Sequence, residues 1–136
     1  MSEPRTIGEL LSEARGRLER LEPAAALAAQ ADGATLVDLR CADDRRASGV
    51  IPGSVHVPLS VLFWRLDPTS DFRSPNLADP AKRVVLLCAD GYSSSLAAAT
   101  LQSLGFSQAT DVIGGVNGWI AAGLPIEASN ADRVAS

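Results

Sequence analysis

The chain has 136 residues, of which 46% are hydrophobic, 21% charged and 4% aromatic. This length suits one domain and the apolar content is sufficient for a packed core, which argues against two packed domains and against a mainly disordered chain. The formal net charge of −4 gives no basic surface for nucleic acid or for an anionic membrane, so we expect neither as a partner.

The sequence indicates a reducing compartment. Residues 1–5 contain no basic flank that leads into an apolar run, and the longest apolar stretch, residues 84–89, is far shorter than the roughly 20 residues of a membrane helix. Two cysteines, Cys41 and Cys88, are too few for a disulfide framework. We therefore expect a cytoplasmic protein whose cysteines are either small buried side chains or reactive thiols.

The N-terminal part of the chain has the pattern of two helices. Thr6 and Glu9 fit a capping box, and apolar residues follow at helical spacing, which predicts an amphipathic helix over residues 7–21. A second helix is predicted to begin at Pro23 and to end at Gly33.

Short apolar runs further along the chain predict strands. Residues 35–39 and 83–88 are continuous apolar runs of the kind that is buried on both faces of a parallel sheet. Residues 54–57 and 110–113 are weaker strand candidates. A long proline-containing loop over residues 67–80 could border a ligand site. Strands that alternate with helices indicate an α/β fold.

Cys88 is predicted to end a buried strand just before a helix. A polar turn over residues 89–93 follows it, and then a helix over residues 94–104 that Gly105 closes. A last short helix is predicted over residues 117–122. Because ligands bind at the carboxyl ends of strands in open α/β sheets, Cys88 is the candidate nucleophile.

A nucleophilic thiol needs its anion stabilised. Lowering the pKa of a thiol by about two units takes roughly 2.7 kcal/mol, whereas a helix dipole supplies about 0.3–1 kcal/mol. Backbone N–H groups and serine hydroxyls in a loop that curls around the sulfur could supply the rest, and Gly91 would allow the tight turn. The same donors would hold the outer sulfur of a persulfide. The alternative is that Cys88 only packs at the end of its strand.

Four motifs in the expected order resemble the rhodanese-like (sulfurtransferase) domain family. Residues 36–40 resemble the first strand of the family with its Asp-x-Arg, and residues 49–54 its Gly-His-Ile-Pro-Gly-Ala. Residues 88–93 resemble its six-residue active loop. Residues 114–119 and 123–125 resemble its closing Gly-Gly, Trp and Gly-x-Pro signature.

The resemblance implies a central parallel β-sheet flanked by helices and a rhodanese-like domain over residues 22–127. A helical extension, residues 1–21, would precede it, and a flexible tail, residues 128–136, would follow. The implied reaction passes a sulfane sulfur from a donor, thiosulfate or a persulfide, through Cys88 to a thiol acceptor, without a cofactor. It implies catalysis by Cys88, with substrate-binding backbone and hydroxyl groups from Ala89, Asp90, Gly91, Tyr92, Ser93 and Ser94.

The chain departs from the family pattern in ways that bear on the donor. Val50 stands where the family often has His. The loop carries Asp90 and no basic residue, so it should repel a dianionic donor, which puts thiosulfate in doubt. Arg65 is a possible anion contact from a neighbouring segment; the alternative is an exposed arginine on a short helix.

Other polar residues have simpler interpretations. We expect Asp38 and Arg40 to form a structural pair at the end of their strand. Cys41 is either a resolving thiol for Cys88 or an incidental cysteine. His56 is the only histidine and has no ligands at metal-binding spacing, so no metal site is expected. Tyr92 either shapes access to the loop or faces solvent.

Rival functions are less well supported by the residues. A serine hydrolase fails because Ser95 replaces the second glycine of the nucleophile elbow and no histidine follows it. Phosphatases that share the fold use a longer loop ending in arginine, where this chain has Ser93 or Ser94. The remaining alternative is a non-catalytic rhodanese-like module that binds a partner protein.

Overall fold

Four short strands form the centre of the fold. The computed structural model describes residues 3–129, and its strands are β1 (Thr35–Asp38), β2 (Val55–His56), β3 (Val84–Leu87) and β4 (Thr110–Asp111). Their order in the sheet is β2-β1-β3-β4, and all three pairs are parallel. The predicted α/β fold with a parallel sheet is therefore confirmed.

Helices cover both faces of this sheet. In the described part of the chain they are α1 (Ile7–Gly16), α2 (Pro23–Ala31), α3 (Ala42–Ser48), α4 (Leu62–Leu66), α5 (Ser93–Ser103) and α6 (Gly115–Ala121). A 3₁₀ turn, Leu59–Val61, leads into α4. Among the described residues no helix has the length and apolar character needed to cross a membrane.

The central strand β3 divides the core into two halves. All four of its side chains are fully buried, as its continuous apolar run predicts. Val84 and Leu86 pack with residues of α4 and α5 on one face. Val85 and Leu87 pack with residues of α2 and α6 on the other. Cys88 comes directly after the last residue of β3, so the burial of this strand also fixes the position of Cys88.

Helix α1 packs on α5 rather than on the sheet. Its capping box at Thr6 and Glu9 is present as predicted. Ala14 is buried on the side that meets α5, whereas Ile7 and Leu10 remain 67% and 41% exposed. One face of α1 therefore packs against the rest of the domain through α5.

The predicted helix over residues 7–21 is wrong in its last part, because α1 ends at Gly16. The chain then runs extended beside β4. The N–H of Leu21 donates to the carbonyl of Asp111 at 3.0 Å, and the N–H of Ile113 donates to the carbonyl of Leu21 at 2.9 Å. The open edge of β4 has backbone groups that need partners, and pairing with them outweighs the helical spacing.

Two further helices, α3 and α6, differ from the prediction. Helix α3 has no apolar periodicity and was not predicted from the sequence, and α6 begins at Gly115 instead of residue 117. The predicted tail, residues 128–136, lies outside the described residues except for residues 128 and 129, and the domain boundary after residue 21 stays a prediction.

A buried ion pair closes the carboxyl end of β1. Asp38 and Arg40 are only 1% and 5% exposed, and Arg40 donates to both carboxylate oxygens of Asp38, at 3.0 and 2.9 Å. Arg45 of α3 donates to the same carboxylate at 2.9 Å. Burial raises the pKa of the Asp38 carboxyl, but the hydrogen bonds and charge of the two arginines outweigh burial, so the net pKa is lowered.

We predict that Asp38→Asn lowers the free energy of unfolding by about 3–5 kcal/mol, because it leaves the charge of Arg40 buried without its partner. Urea denaturation at neutral pH measures this. The matched control is Asp43→Asn, since Asp43 pairs with Arg46 at the surface and its side chain is 85% exposed. It should change the free energy of unfolding by less than about 0.5 kcal/mol.

The same pair predicts a pH dependence. The pKa of Asp38 is lower in the folded chain than in the unfolded chain, where it is about 3.9. Its contribution to stability is therefore complete above that value and is lost as the pH falls through the folded pKa. The difference in stability between the wild type and Asp38→Asn should shrink in acid. A difference that stays constant down to the lowest pH at which the protein folds would contradict this.

Candidate active site

The thiol of Cys88 lies at the carboxyl end of β3, where the chain turns around it. The residue is 8% exposed. Its Sγ accepts a hydrogen bond from the N–H of Gly91 at 3.1 Å and lies 3.2 Å from Oγ of Ser94. Gly91 has φ +87°, and a Cβ there would lie 2.9 Å from the backbone nitrogen of Gly114. Only glycine fits this turn without strain.

The loop shifts the thiol toward its anion. Burial raises the pKa of Cys88, but hydrogen bonds from Ser94, from Ser93 and from the N–H of Gly91 outweigh burial, so the net pKa is lowered from its ordinary value. This is the direction that a nucleophilic thiol requires.

The N-terminus of α6 holds the back of the loop. Val116 N–H donates to the carbonyl of Cys88 at 2.9 Å, and Asn117 N–H donates to the carbonyl of Ala89 at 3.0 Å. A Cβ on Gly115 would lie 2.3 Å from the Cys88 oxygen. The glycine therefore permits the close approach of α6 to the loop.

Two arginines hold the carbonyl of Gly91, two residues further along the loop. The carbonyl oxygen of Gly91 accepts from Nη2 of Arg15 at 2.7 Å and from Nη2 of Arg20 at 3.0 Å. Arg15 belongs to α1, and Arg20 lies in the extended segment beside β4. The guanidinium of Arg15 also lies 5.4 Å from the centre of the Tyr92 ring.

These anchors orient the N–H groups of the loop. A trans peptide unit is planar, so a carbonyl that is fixed in one direction turns the next N–H in the opposite direction. The anchored carbonyls therefore turn the N–H groups of Ala89, Asp90 and Tyr92 away from α6 and from the arginines. Within the described chain these three N–H groups have no protein acceptor. Together with the N-terminus of α5 they form a cradle for an anion.

The hydroxyl of Ser94 connects the thiol to a buried carboxylate. Ser94 Oγ lies 3.2 Å from Sγ of Cys88 and 2.7 Å from Oδ2 of Asp111. A hydroxyl has one proton to donate. With the neutral thiol, Cys88 donates to Ser94 and Ser94 donates to Asp111. With the anionic sulfur, Ser94 has to turn its proton toward Cys88.

Asp111 is the most buried acid of the site. It ends β4 with 0% of its surface exposed. Arg20 donates to its two oxygens at 2.9 and 3.2 Å, and Ser95 donates to Oδ2 at 2.8 Å. Opposite charge and hydrogen bonds thus satisfy the carboxylate, as burial demands.

The outer rim of the loop is acidic and aromatic. Asp90 is exposed, and its Oδ1 accepts from Nδ2 of Asn117 at 2.7 Å. Tyr92 is 63% exposed. Both side chains are therefore at the surface of the loop, the carboxylate of Asp90 against α6 and the ring of Tyr92 beside the guanidinium of Arg15.

Three other residues considered from the sequence lie apart from these contacts. Arg65 is on α4 and donates to the carbonyl of Phe72 at 3.3 Å. Cys41 precedes α3 as a free, exposed thiol. The ring of His56 bonds the carbonyl of Arg40 at 2.7 Å. Among residues 3–129, no cluster of His, Cys, Asp or Glu side chains is suited to hold a metal ion.

Four side chains of the site were missed by reasoning from the sequence: Arg15, Arg20, Asp111 and Asn117. None of them lies in the loop, and the first two precede it by more than 60 positions. No local pattern marks them, because the pairing of the segment before α2 with β4 and the docking of α6 bring them to the loop.

Comparison with known proteins identifies relatives. The model of the rhodanese-like domain family matches residues 22–122. Thiosulfate sulfurtransferase GlpE of Pseudomonas savastanoi is 38% identical over 101 residues, which cover 74% of this chain and 86% of that protein. The adenylyltransferase and sulfurtransferase UBA4 of Lodderomyces elongisporus is 31% identical over 86 residues, 62% of this chain, but the match spans only 19% of its length.

A solved structure resembles nearly the whole chain. It is a protein of unknown function from Rhodopseudomonas palustris, described as a possible tyrosine phosphatase. It has a TM-score of 0.84 and 34% identity, and the alignment covers 93% of this chain and 98% of that one.

We predict that Ser94→Ala raises the pKa of Cys88, because it removes a hydroxyl that stabilises the anionic sulfur. The rate of alkylation by iodoacetamide as a function of pH measures this in a Cys41→Ser background, in which Cys88 is the single thiol. Thiolate is the reacting form, so a higher pKa moves the rise in rate to higher pH.

Ser107→Ala is the control, because Ser107 is exposed on the turn after α5. It should leave the pH midpoint of alkylation in place. The same midpoint in Ser94→Ala and in the control would show that the hydroxyl does not stabilise the anion.

Proposed function

Since the chain belongs to the rhodanese-like domain family, we propose that it is a sulfurtransferase that carries sulfane sulfur as a persulfide on Cys88 and gives it to a thiol. The observation that carries this proposal is the sulfur of Cys88 within a loop whose free N–H groups suit an anion. Relatives named as sulfurtransferases support it. Both cysteines are free, which fits a reducing compartment, the cytoplasm.

The transfer has two displacement steps. The thiolate of Cys88 attacks the outer sulfur of the donor, a new S–S bond forms, and the bond to the rest of the donor breaks. With thiosulfate the leaving group is sulfite, which keeps the electron pair of the broken bond. An acceptor thiolate then attacks the outer sulfur of the persulfide, and the Cys88 thiolate leaves. No oxidant or reductant is consumed.

The cradle can stabilise both anionic forms of Cys88, the thiolate and the persulfide. The outer sulfur of a persulfide is anionic and lies one S–S bond, about 2 Å, farther out than Sγ. The N–H groups of Ala89, Asp90 and Tyr92 are free to receive it, whereas the N–H of Gly91 already serves Sγ. Stabilisation of the anion before and after transfer is what a sulfur carrier requires.

The rim of the loop favours a donor with little negative charge. Relatives named for thiosulfate support that donor, but the loop carries the exposed carboxylate of Asp90 and no basic residue. The nearby guanidiniums bond the Gly91 carbonyl and Asp111. We therefore propose that a hydropersulfide, R–S–S–H, is used in preference to thiosulfate, because repulsion grows with the charge of the donor and the reacting form of a hydropersulfide is neutral. Its outer S–H sulfur passes to Cys88, and the thiolate R–S⁻ leaves with the electron pair of the broken S–S bond.

A phosphatase is the second candidate, since the Rhodopseudomonas palustris protein is described as a possible one. Phosphatases that share the fold end their loop with an arginine fork that holds phosphate. Here that place is taken by Ser93 or Ser94. Arg15 and Arg20 bond the outside of the loop through the carbonyl of Gly91. These contacts favour sulfur transfer over phosphate hydrolysis.

We predict that incubation with a sulfur donor adds the mass of one sulfur atom to the wild-type protein. Intact-mass spectrometry measures the adduct, with thiosulfate and an alkyl hydropersulfide as the two donors. Cys88→Ser should carry none, because it removes the nucleophile. Cys41→Ser is the matched control and should be loaded like the wild type.

Three results would count against this function. The first is no adduct with either donor, which would favour the partner-binding module. The second is an adduct of equal yield on Cys88→Ser. The third is hydrolysis of an aryl phosphate that depends on Cys88 in the absence of sulfur transfer, which would favour the phosphatase.

We predict that Asp90→Asn lowers the KM for thiosulfate by about 3- to 10-fold at low ionic strength, because it removes a negative charge near a dianionic donor. Asparagine keeps an Oδ1 that can accept from Asn117, so the loop should retain its shape. Steady-state kinetics measure the KM for thiosulfate and for an alkyl hydropersulfide, and the effect on the latter should be smaller.

The control for charge alone is Asp32→Asn. Asp32 is exposed after α2 at the amino end of the sheet, away from the loop. It should leave both KM values unchanged. If the effect of Asp90→Asn persists at high salt or is equal for both donors, repulsion of the dianion is not its cause.

A further inference from the structure

Part of the active site is built by residues that precede the family domain. The family match begins at residue 22, but Arg15 and Arg20 lie before it and both reach the carbonyl of Gly91. The two guanidiniums approach the loop from outside the sulfur cradle, so they do not occupy the place of a donor. Their contacts go to the atoms that orient the loop.

Arg20 joins the loop to the buried acid. Its Nη2 lies 3.0 Å from the Gly91 carbonyl and 3.2 Å from Oδ2 of Asp111, and its Nε lies 2.9 Å from Oδ1. A planar guanidinium can make these bonds together, whereas an ammonium offers a single point of charge. The side chain of Arg20 is only 15% exposed, so water screens these bonds weakly.

Arg15 supports the same carbonyl from α1. Its Nη2 lies 2.7 Å from the Gly91 oxygen, and its Nε donates to Oγ of Ser95 at 3.2 Å. Ser95 in turn donates to Asp111 at 2.8 Å. The two arginines and the two serines thus form one connected network around the Asp111 carboxylate.

The network determines whether the Ser94 hydroxyl donates its proton to Asp111 or to the sulfur of Cys88. Asp111 and the anionic sulfur of Cys88 compete for the same hydroxyl. A buried carboxylate can release that hydroxyl only if other donors still satisfy it. Arg20 supplies two of those donors, and Ser95 supplies a third.

We propose that Arg20, supported by Arg15, is a positioning residue for sulfur transfer: it fixes the Gly91 carbonyl and satisfies Asp111, so that the loop N–H groups and the Ser94 hydroxyl serve the sulfur of Cys88. This role rests on the proposed sulfurtransferase function and makes the N-terminal extension, residues 1–21, a functional part of the enzyme.

The charged and titratable groups around Cys88 come from several elements. Arg15 belongs to α1, Arg20 to the segment that follows it, and Asp111 to β4. The loop itself contributes Asp90 and Tyr92. Among these groups, Arg20 is the one that bonds both Asp111 and the loop backbone, so its removal is the most informative change.

The test compares Arg20→Gln with Arg17→Gln, both in the Cys41→Ser background. Arg20→Gln should move the pH midpoint of Cys88 alkylation upward and lower kcat/KM for sulfur transfer by about 10- to 100-fold, mainly through kcat, the usual effect of losing a hydrogen bond to a charged group. Arg17 pairs with Glu13 at the surface, so Arg17→Gln should match the wild type. Arg20→Lys, which keeps the charge, should lie between them.

A double variant separates positioning from general damage. In Arg20→Gln/Asp111→Asn the neutral amide competes less strongly for the Ser94 proton than a carboxylate does. The pH midpoint of alkylation should therefore return toward that of the wild type. Two independent structural defects would instead add their effects.

The outcomes distinguish this inference from the function on which it rests. If the wild type forms no persulfide, the function fails, and the alkylation profiles still decide the role of Arg20. An unchanged midpoint and kcat in folded Arg20→Gln, or additive shifts in the double variant, would overturn the positioning role. Should Arg20→Gln not fold, Arg20→Lys and Arg15→Gln decide in its place, since wild-type profiles in both would also overturn it.

Discussion

The outward anchoring of the peptide carbonyls in the Cys88 loop is the constraint on which the candidate site depends. Each carbonyl that is held from outside leaves the next N–H on the inner side, because the peptide unit is planar. A run of such N–H groups has no net charge, yet it presents fixed positive ends of dipoles to an anion. Since the anchors belong to the folded protein, the donors are oriented before any sulfur arrives, and little reorganisation is needed during transfer.

The glycines and aromatic residue of the C-terminal motif serve this loop through α6. Gly115 lets the helix approach until its N–H groups reach the carbonyls of Cys88 and Ala89. Trp119 keeps the helix in place, because its ring is fully buried and its Nε1 donates to the carbonyl of Pro125 at 2.8 Å. A motif some 30 residues from Cys88 therefore acts on it by fixing peptide orientation.

The sequence predicts those parts of the fold whose signal is local. The buried run of β3, the capping box of α1 and the turn at Gly91 each depend on neighbouring residues, and the structure has all three. The end of α1 and the short helix α3 depend on tertiary contacts. Helical spacing continues to Leu21, but the edge of β4 takes that segment into an extended conformation.

The residues of the candidate site also fall into two groups: those with a local signal in the sequence and those that tertiary contacts bring into place. The nucleophile and its loop are contiguous and carry a recognisable pattern, so they could be named from the sequence. Arg20 and Asp111 are 91 positions apart, and an arginine on a surface-like segment is indistinguishable from a solvated one until the fold places it. The sequence offers Arg65 as an anion contact for the loop, whereas the fold brings Arg15 and Arg20 to the loop instead.

The position of these charges has a consequence for specificity. A basic residue inside the loop would contact the donor directly and favour any anion, above all a dianion. The guanidinium of Arg20 is instead paired with Asp111, and in the proposed positioning role it acts on the sulfur through Gly91 and Ser94. The proposed preference for a hydropersulfide donor follows from this arrangement, because the anchors behind the loop serve a sulfur anion that is already bound and the loop has no basic side chain for a free dianion.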